Sequence, residues 1–373
     1  MKRRNILLIL FLSNFSIAFC QGPKIYVEAT KTLRDYDVVL YNAIPGQHEV
    51  EIDRNKIKGG KATFILPKQT EPFYAYVKLQ LKDSVVDRTY FLVTNSIIKI
   101  AFDTVQYSAV VTGGENEFIF RHRQLLFDLP LSIYKSPAFR SNYLVKTDEF
   151  KTEDWNLNAR WREYESDVYE TISEHKNYYY ALEKFKDRGF ALPTNVLKKG
   201  FSLFADTLKK TSLGKELQEY ISKREKLQIG KSAPSFFVSD SDGKLVESSQ
   251  LYTNKKIVLL DFWASWCGPC REEMRELKSK FSAIDTSKLR IISISIDVNK
   301  NNWVTASQQE QILWENYIAP GGGQGDISNK FCLEFVPRTF LINQDGTIID
   351  FDLRTTELEL FFTNNSLWKK KDD

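Results

Sequence analysis

From Lys24 to Val111 the chain alternates between apolar and polar positions. Phe73, Ala75, Val77, Leu79 and Leu81 fall on one side of an extended segment, and Tyr74, Tyr76, Lys78 and Gln80 on the other, the two-residue period of a strand. Shorter runs at 25–29, 38–41, 50–52, 62–66, 90–93, 97–102 and 108–111 are separated by turn residues. Together they predict a small antiparallel β domain, sandwich-like, over 21–113. At Gly113-Gly114 the period lengthens. Through 114–227 the pattern is helical, with Trp161, Tyr164, Val168, Tyr169 and Ile172 on one face, and these aromatics read as core; a groove for peptides is their other use. Residues 228–234 form a linker. Strands at 235–238, 256–263, 289–297, 338–343 and 347–353 then interleave with helices at 267–283, 302–317, 326–333 and 355–363. That order predicts an α/β domain over 228–365, a central mixed sheet flanked by helices, with 366–373 as a tail.

The first twenty residues read as a secretory signal peptide. Lys2-Arg3-Arg4 precede the apolar run Ile6 to Leu12, and Ala18-Phe19-Cys20 offers small residues around a cut after Cys20. The run is short for a bilayer span. Bulky Phe19 stands where a lipoprotein signal needs a small residue, which argues against lipid anchoring at Cys20. The expected location is the periplasm or cell envelope. Cleavage removes three basic and no acidic residues, taking the net charge from +4 to +1. Such a balanced chain carries no nucleic-acid footprint, and Lys369-Lys370-Lys371 is offset at once by Asp372-Asp373.

Cysteine is sparse for an exported protein. Cys267, Cys270 and Cys332 remain after cleavage, so disulfides do not staple the fold and the closely spaced pair is there to react. A lone Cys-x-x-Cys with His48, His122 and His175 scattered elsewhere gives no metal signature. Gly321 to Gly325 lacks the Lys-Ser/Thr ending of a phosphate loop. No cofactor and no metal is expected.

The pair lies in Trp266-Cys267-Gly268-Pro269-Cys270, directly after the apolar run Ile257 to Trp263. A helix starting at Cys267 turns its unpaired N–H groups and positive dipole end toward that sulfur and favours thiolate. Cys267 is therefore the attacking thiol, with the more accessible sulfur, and Cys270, one turn deeper, the resolving one. Asp261, inside the apolar run, is the candidate proton acceptor for Cys270, its pKa raised by burial; an edge-strand aspartate facing water is the alternative.

Several motifs extend beyond the dithiol. Phe262 to Cys270 resembles the active-site segment of the thioredoxin family, and Asp261 matches that family's buried carboxylate. Phe335-Val336-Pro337-Arg338-Thr339-Phe340 resembles its cis-proline segment. Ile229 to Phe236 and Asp242-Gly243-Lys244 resemble the opening of the TlpA/ResA-like branch of exported or membrane-tethered bacterial thioredoxins. The resemblance spans 228–365. It implies a thioredoxin-like fold and thiol–disulfide oxidoreductase activity through a redox-active Cys267–Cys270 disulfide. It also implies a cis Val336–Pro337 bond that sets the Val336 backbone beside Cys267 to pair with a substrate strand, and Trp266 as an apolar contact for substrate. Disulfide-containing envelope proteins and a membrane electron donor are the implied partners, with reduction as the direction.

Two departures from the family pattern stand out. Arg275 occupies a position often held by proline, which predicts a more basic exposed helix face, and Arg338 after the proline is expected to favour thiolate or acidic substrates. Cys332 is either a small buried hydrophobe or a third redox participant. A thiol peroxidase would need Pro-x-x-x-Thr/Ser-x-x-Cys, whereas Leu260 and Ala264 precede Cys267 at those places. The remaining alternative is an envelope binding or assembly protein in which the thioredoxin-like domain is accessory.

Overall fold

A computed structural model describes residues 22–29, 36–43, 49–81, 84–103, 108–121, 155–190, 192–252 and 257–369. The signal-peptide reading at 1–20, His48, His122 and the charged end of the tail lie outside these residues. Contacts divide the chain into two compact units, one up to residue 125 together with 178–181, the other holding the remainder.

The first unit contains β1 (Lys24–Ala29), β2 (Asp37–Asn42), β3 (Val50–Lys56), β4 (Lys61–Ile65), β5 (Phe73–Leu81), β6 (Ser84–Val93), β7 (Ile97–Asp103), β8 (Ser108–Thr112) and the short helix α1 (Asn116–Arg121). Its two four-stranded sheets run β4-β1-β7-β8 and β3-β2-β5-β6. Pairing is antiparallel, as expected, except between β1 and β7, which run parallel from Lys24↔Ile97 to Ala29↔Phe102. The chain returns to β1 only after building the second sheet, and β4 already holds the other edge antiparallel. Ile25, Val27, Phe64, Ile98 and Ile100 from one sheet meet Val38, Leu40, Val77, Leu79 and Phe91 from the other in the core. The opposite face of β5 is covered as well: Tyr76 stacks on Tyr41 at 5.1 Å, and the Lys78 ammonium sits 4.4 Å above the Tyr41 ring while pairing with Glu49. Gly113 ends the sheet with φ +90°, where a Cβ would lie 2.1 Å from the Ile97 carbonyl oxygen, so only glycine fits. Asn116 then ties α1 to β6 by bonding both the N–H and the carbonyl of Leu92, at 2.8 and 2.9 Å.

The second unit opens with α2 (Trp155–His175), α3 (Tyr179–Gly189, from residue 182 on), α4 (Thr194–Leu203), α5 (Asp206–Lys209) and α6 (Ser212–Lys226). Trp161, Tyr164, Val168 and Ile172 are buried and Tyr169 is half-buried, as the helical period requires. A Cβ at Gly200 would meet the Phe185 ring at 2.5 Å, so glycine there lets the helices approach closely. Arg224 on α6 donates to the Gly189 and Leu192 carbonyls at 3.1 and 2.8 Å, tying α6 to the turn that follows α3.

After this helical segment come β9 (Phe237–Ser239), β10 (Leu245–Glu247), α7 (Ser248–Leu251), β11 (Ile257–Trp263), α8 (Gly268–Lys280), β12 (Leu289–Ser295), α9 (Lys300–Glu310), β13 (Glu315–Ile318), α10 (Asp326–Lys330), β14 (Arg338–Asn343), β15 (Ile348–Phe351) and α11 (Thr355–Asn364). They form one mixed sheet of order β10-β9-β13-β12-β11-β14-β15. β11, β12 and β13 are parallel neighbours, and β14 joins β11 antiparallel. This is the thioredoxin-like α/β architecture. The helix expected over 302–317 stops at Glu310. Gln311 enters the left-handed region at φ 51°, and Glu315 to Ile318 pair with β12 instead, so sheet pairing overrides the helical period. Among the described residues no helix is long and apolar enough to cross a membrane.

Candidate active site

β11 is central in its sheet, and its residues alternate between two faces. Val258, Leu260 and Phe262 enter one apolar cluster with Phe331 and Phe340. Leu259 enters another with Leu341 and Phe362, and Asp261 falls on that side. The strand then delivers the chain to the turn that carries the dithiol. Asp297, just past β12, holds that turn in place: its carboxylate accepts from Ser265 N–H and Oγ–H, at 2.8 and 2.6 Å, and from Ser295 Oγ–H at 2.6 Å.

Cys267 is the N-cap of α8, with Pro269 in the first turn, and its Sγ accepts the Cys270 N–H at 3.2 Å. The two cysteines are joined, with Cα atoms 5.3 Å apart. In this oxidised form both residues are buried, Cys267 5 % and Cys270 2 % exposed. Trp266 beside them is 68 % exposed. The Val336–Pro337 bond is cis, and the Val336 carbonyl oxygen lies 3.6 Å from Cys267 Sγ.

Asp261 is buried and has no ion pair among the described residues. Ser293 Oγ–H donates to its Oδ2 at 2.8 Å, and Trp314 Nε1–H donates to Ser293 Oγ at 2.9 Å. Because the indole can only donate, it commits the serine proton to the carboxylate. Burial nevertheless pushes the Asp261 pKa up to about 7, against the pull of that hydrogen bond. The carboxylate shares a cavity of about 30 Å³ with Glu273, Met274 and Thr339, above the roughly 10–15 Å³ that one water needs. Glu273 is three residues beyond Cys270 on α8. Burial raises its pKa, opposed by Arg354, whose Nη1 lies 3.4 Å from both carboxylate oxygens. Sequence reasoning missed Glu273, whose signal was the one-turn spacing from Cys270. It also missed Ser293 and Asp297, whose signal was polar residues at alternate places in an apolar strand.

Both arginines, Arg338 and Arg275, engage a carboxylate. Arg338 is 5 % exposed and turned away from solvent: Nε and Nη2 donate to the two Asp352 carboxylate oxygens at 3.0 and 2.8 Å, and Nη1 to the Cys332 carbonyl at 2.8 Å. This buried ion pair holds the guanidinium inside the protein rather than presenting it to a substrate. Arg275 clamps Glu310 on α9 at 2.7 and 2.8 Å, beside Arg271 at 2.6 Å, which ties α8 to α9 and leaves two guanidinium groups on one carboxylate. Cys332 is buried, with burial pushing its thiol pKa up to about 11. Among the described residues no cluster of histidine, cysteine and acidic side chains could hold a metal ion.

A central mixed sheet carrying a Cys-x-x-Cys pair at a helix N-terminus opposite a cis-proline defines a thioredoxin-fold thiol–disulfide oxidoreductase. The model of the AhpC/TSA family matches residues 229–351. Thiol-disulfide oxidoreductase ResA of Bacillus cereus is 33 % identical over 132 residues, 35 % of this chain and 73 % of that protein. ResA of Bacillus subtilis is 25 % identical over 126 residues, 34 % of this chain and 68 % of that one. The thioredoxin domain of a thiol-disulfide oxidoreductase from Bacteroides vulgatus matches 37 % of this chain and 97 % of its own, at 24 % identity and a TM-score of 0.34. The chain belongs to the ResA-like thiol-disulfide oxidoreductases, with the shared region confined to its C-terminal third.

Proposed function

We propose that this protein is an exported reductant of protein disulfides, with Cys267 as nucleophile and Cys270 as resolving thiol. The Cys267 thiolate attacks one sulfur of a substrate disulfide, forming a mixed disulfide and releasing the other substrate sulfur as thiolate. Cys270, once deprotonated, attacks Cys267 Sγ; the second substrate sulfur leaves, and the protein keeps the Cys267–Cys270 disulfide. Two electrons pass to the substrate, and a membrane dithiol donor restores the pair. The proton of Cys270 goes to the Asp261 carboxylate through the cavity shared with Glu273. Val336 and Pro337 align the substrate backbone, and Trp266 provides apolar contact.

One observation carries the reading: a closed dithiol at a helix N-terminus, with a backbone carbonyl 3.6 Å from its first sulfur and a buried carboxylate, its pKa about 7, on the adjoining strand. Export rests on residues 1–20. A peroxidase is disfavoured because Leu260 and Ala264, where that chemistry needs proline and a hydroxyl, are fully buried in the apolar core. The test is a trap in the native envelope. Cys270→Ser should accumulate mixed disulfides at Cys267 with cysteine-bearing envelope proteins; equal recovery from Cys267→Ser would refute the assignment and favour an assembly role.

A further inference from the structure

The helical segment and the thioredoxin-fold domain share one compact unit, and a groove runs between them beside the proline loop. At one lip the Phe190 ring, at the end of α3, meets the Phe335 ring at 6.3 Å. Phe335 directly precedes Val336, whose carbonyl faces the dithiol. The groove has a volume of about 280 Å³ and includes Phe190, Tyr220, Lys223 and Glu334. A second hollow of about 230 Å³ continues it toward the Gly323–Gly325 loop and shares Tyr220, Asn329 and Glu334. Glu334 therefore stands at the junction of the two, only two residues from Val336 and so within about 8 Å of it.

The charges in this groove do not cancel. Lys186 pairs with Glu216 at 2.6 Å, and Lys223 pairs with Glu219 at 2.7 Å while donating to Asn329 at 2.6 Å. Glu334 is exposed and has no ion pair among the described residues. Among the residues that line it, the groove thus has one carboxylate more than it has cations, next to Phe190, 39 % exposed; the Arg224 guanidinium is buried behind Tyr220, 5.8 Å from its ring, and bonds only backbone carbonyls. A carboxylate beside an aromatic face suits the ammonium or guanidinium of a basic side chain.

We infer that this groove docks the stretch of substrate polypeptide flanking the target cysteine and selects a lysine or arginine within it. The inference rests on the disulfide-reductase reading and adds a substrate class to it: extended segments with a basic residue near the cysteine. A strand paired with the Val336 backbone advances about 3.3 Å per residue, so a side chain two to four residues from the cysteine reaches Glu334. The helical segment then serves recognition, since it forms the wall opposite Glu334.

The test uses reduced Cys270→Ser protein and two synthetic peptides. Each carries one cysteine activated as a mixed disulfide with 5-thio-2-nitrobenzoate, and the two differ only by Lys or Glu placed two and four residues from it. The release rate of the chromophore reports attack by Cys267. The Lys peptide should react about fivefold faster at low ionic strength, a ratio that shrinks toward one at roughly 0.5 M salt. Glu334→Gln should bring the ratio to about one at any salt. Equal rates in the Glu334 protein, a faster Glu peptide, or a preference that survives Glu334→Gln each overturn the inference. Bis(2-hydroxyethyl) disulfide, which has no flanking residues, tests the underlying reading separately: if it too fails to react, the nucleophile assignment is what falls.

Discussion

Two buried carboxylates on the thioredoxin-fold sheet have received opposite treatment. Asp352, after β15, is met by both arms of the Arg338 guanidinium. Asp261, on β11, is met by one serine hydroxyl and a small cavity. Arg338 and Thr339 are adjacent residues of β14 and point to opposite faces; Arg338 meets Asp352, whereas Thr339, opposite Asp261 in the sheet, spends its hydroxyl on the Leu353 carbonyl at 3.0 Å. On one face a carboxylate is held in a buried ion pair. On the other, a carboxyl group is left able to gain and lose a proton near neutral pH. Structural need and chemical use are separated by the thickness of a strand.

The strongest way to break this contrast is Arg338→Ala, which leaves Asp352 buried without its ion-pair partner. Denaturant unfolding should show a loss of about 3–5 kcal/mol, with the thiolate pKa of Cys267 unchanged. Asp261→Asn works in the opposite direction. The folded pKa, about 7, lies above the ordinary carboxyl value of 3.8, so between these values the folded state binds more protons and stability falls as pH rises. Wild type is therefore penalised above pH 7 by at most about 4 kcal/mol, at about 1.4 kcal/mol per pKa unit. Asp261→Asn should be more stable than wild type at pH 8, with the gap closing as pH falls toward 3.8. The same variant should slow the resolving step in single-turnover kinetics and remove its titration near pH 7. Ser293→Ala takes away a hydrogen bond that favours the carboxylate, at a cost of about 1 kcal/mol, and should move the Asp261 titration upward by NMR. Smallest of all, Cys332→Ala should leave the exchange rate unchanged, because a buried thiol with a pKa near 11 supplies almost no thiolate at neutral pH; a slower rate would restore it as a redox participant.

The dithiol turn was legible in the sequence because its parts are contiguous: an apolar strand, two cysteines and a helix start lie within a few residues. The N-terminal strands were legible for the same reason, since a period of two is local. The partners of Asp261 and Arg338 were not. Ser293 reaches Asp261 across 32 positions, and Asp352 meets Arg338 only because β14 and β15 pair and bring the two ends together. Arg338 and Arg275 looked like free cations for that reason. The stretch from Ile312 to Ile318 was misread because its apolar spacing suits a helix as well as a strand, and only the vacant edge of β12 decides between them.

The latch formed by Asp297 has a consequence for engineering. Since the turn is anchored from Ser265 on one side and by the body of α8 on the other, neither residue between the cysteines has to hold it. A Cβ on Gly268 would meet no atom within 4 Å beyond its chain neighbours and the backbone of its own helix. The dipeptide can therefore serve as a replaceable dial: side chains introduced at 268 would change the surroundings of the sulfurs, and with them the electron affinity of the pair, while the scaffold beneath keeps its shape.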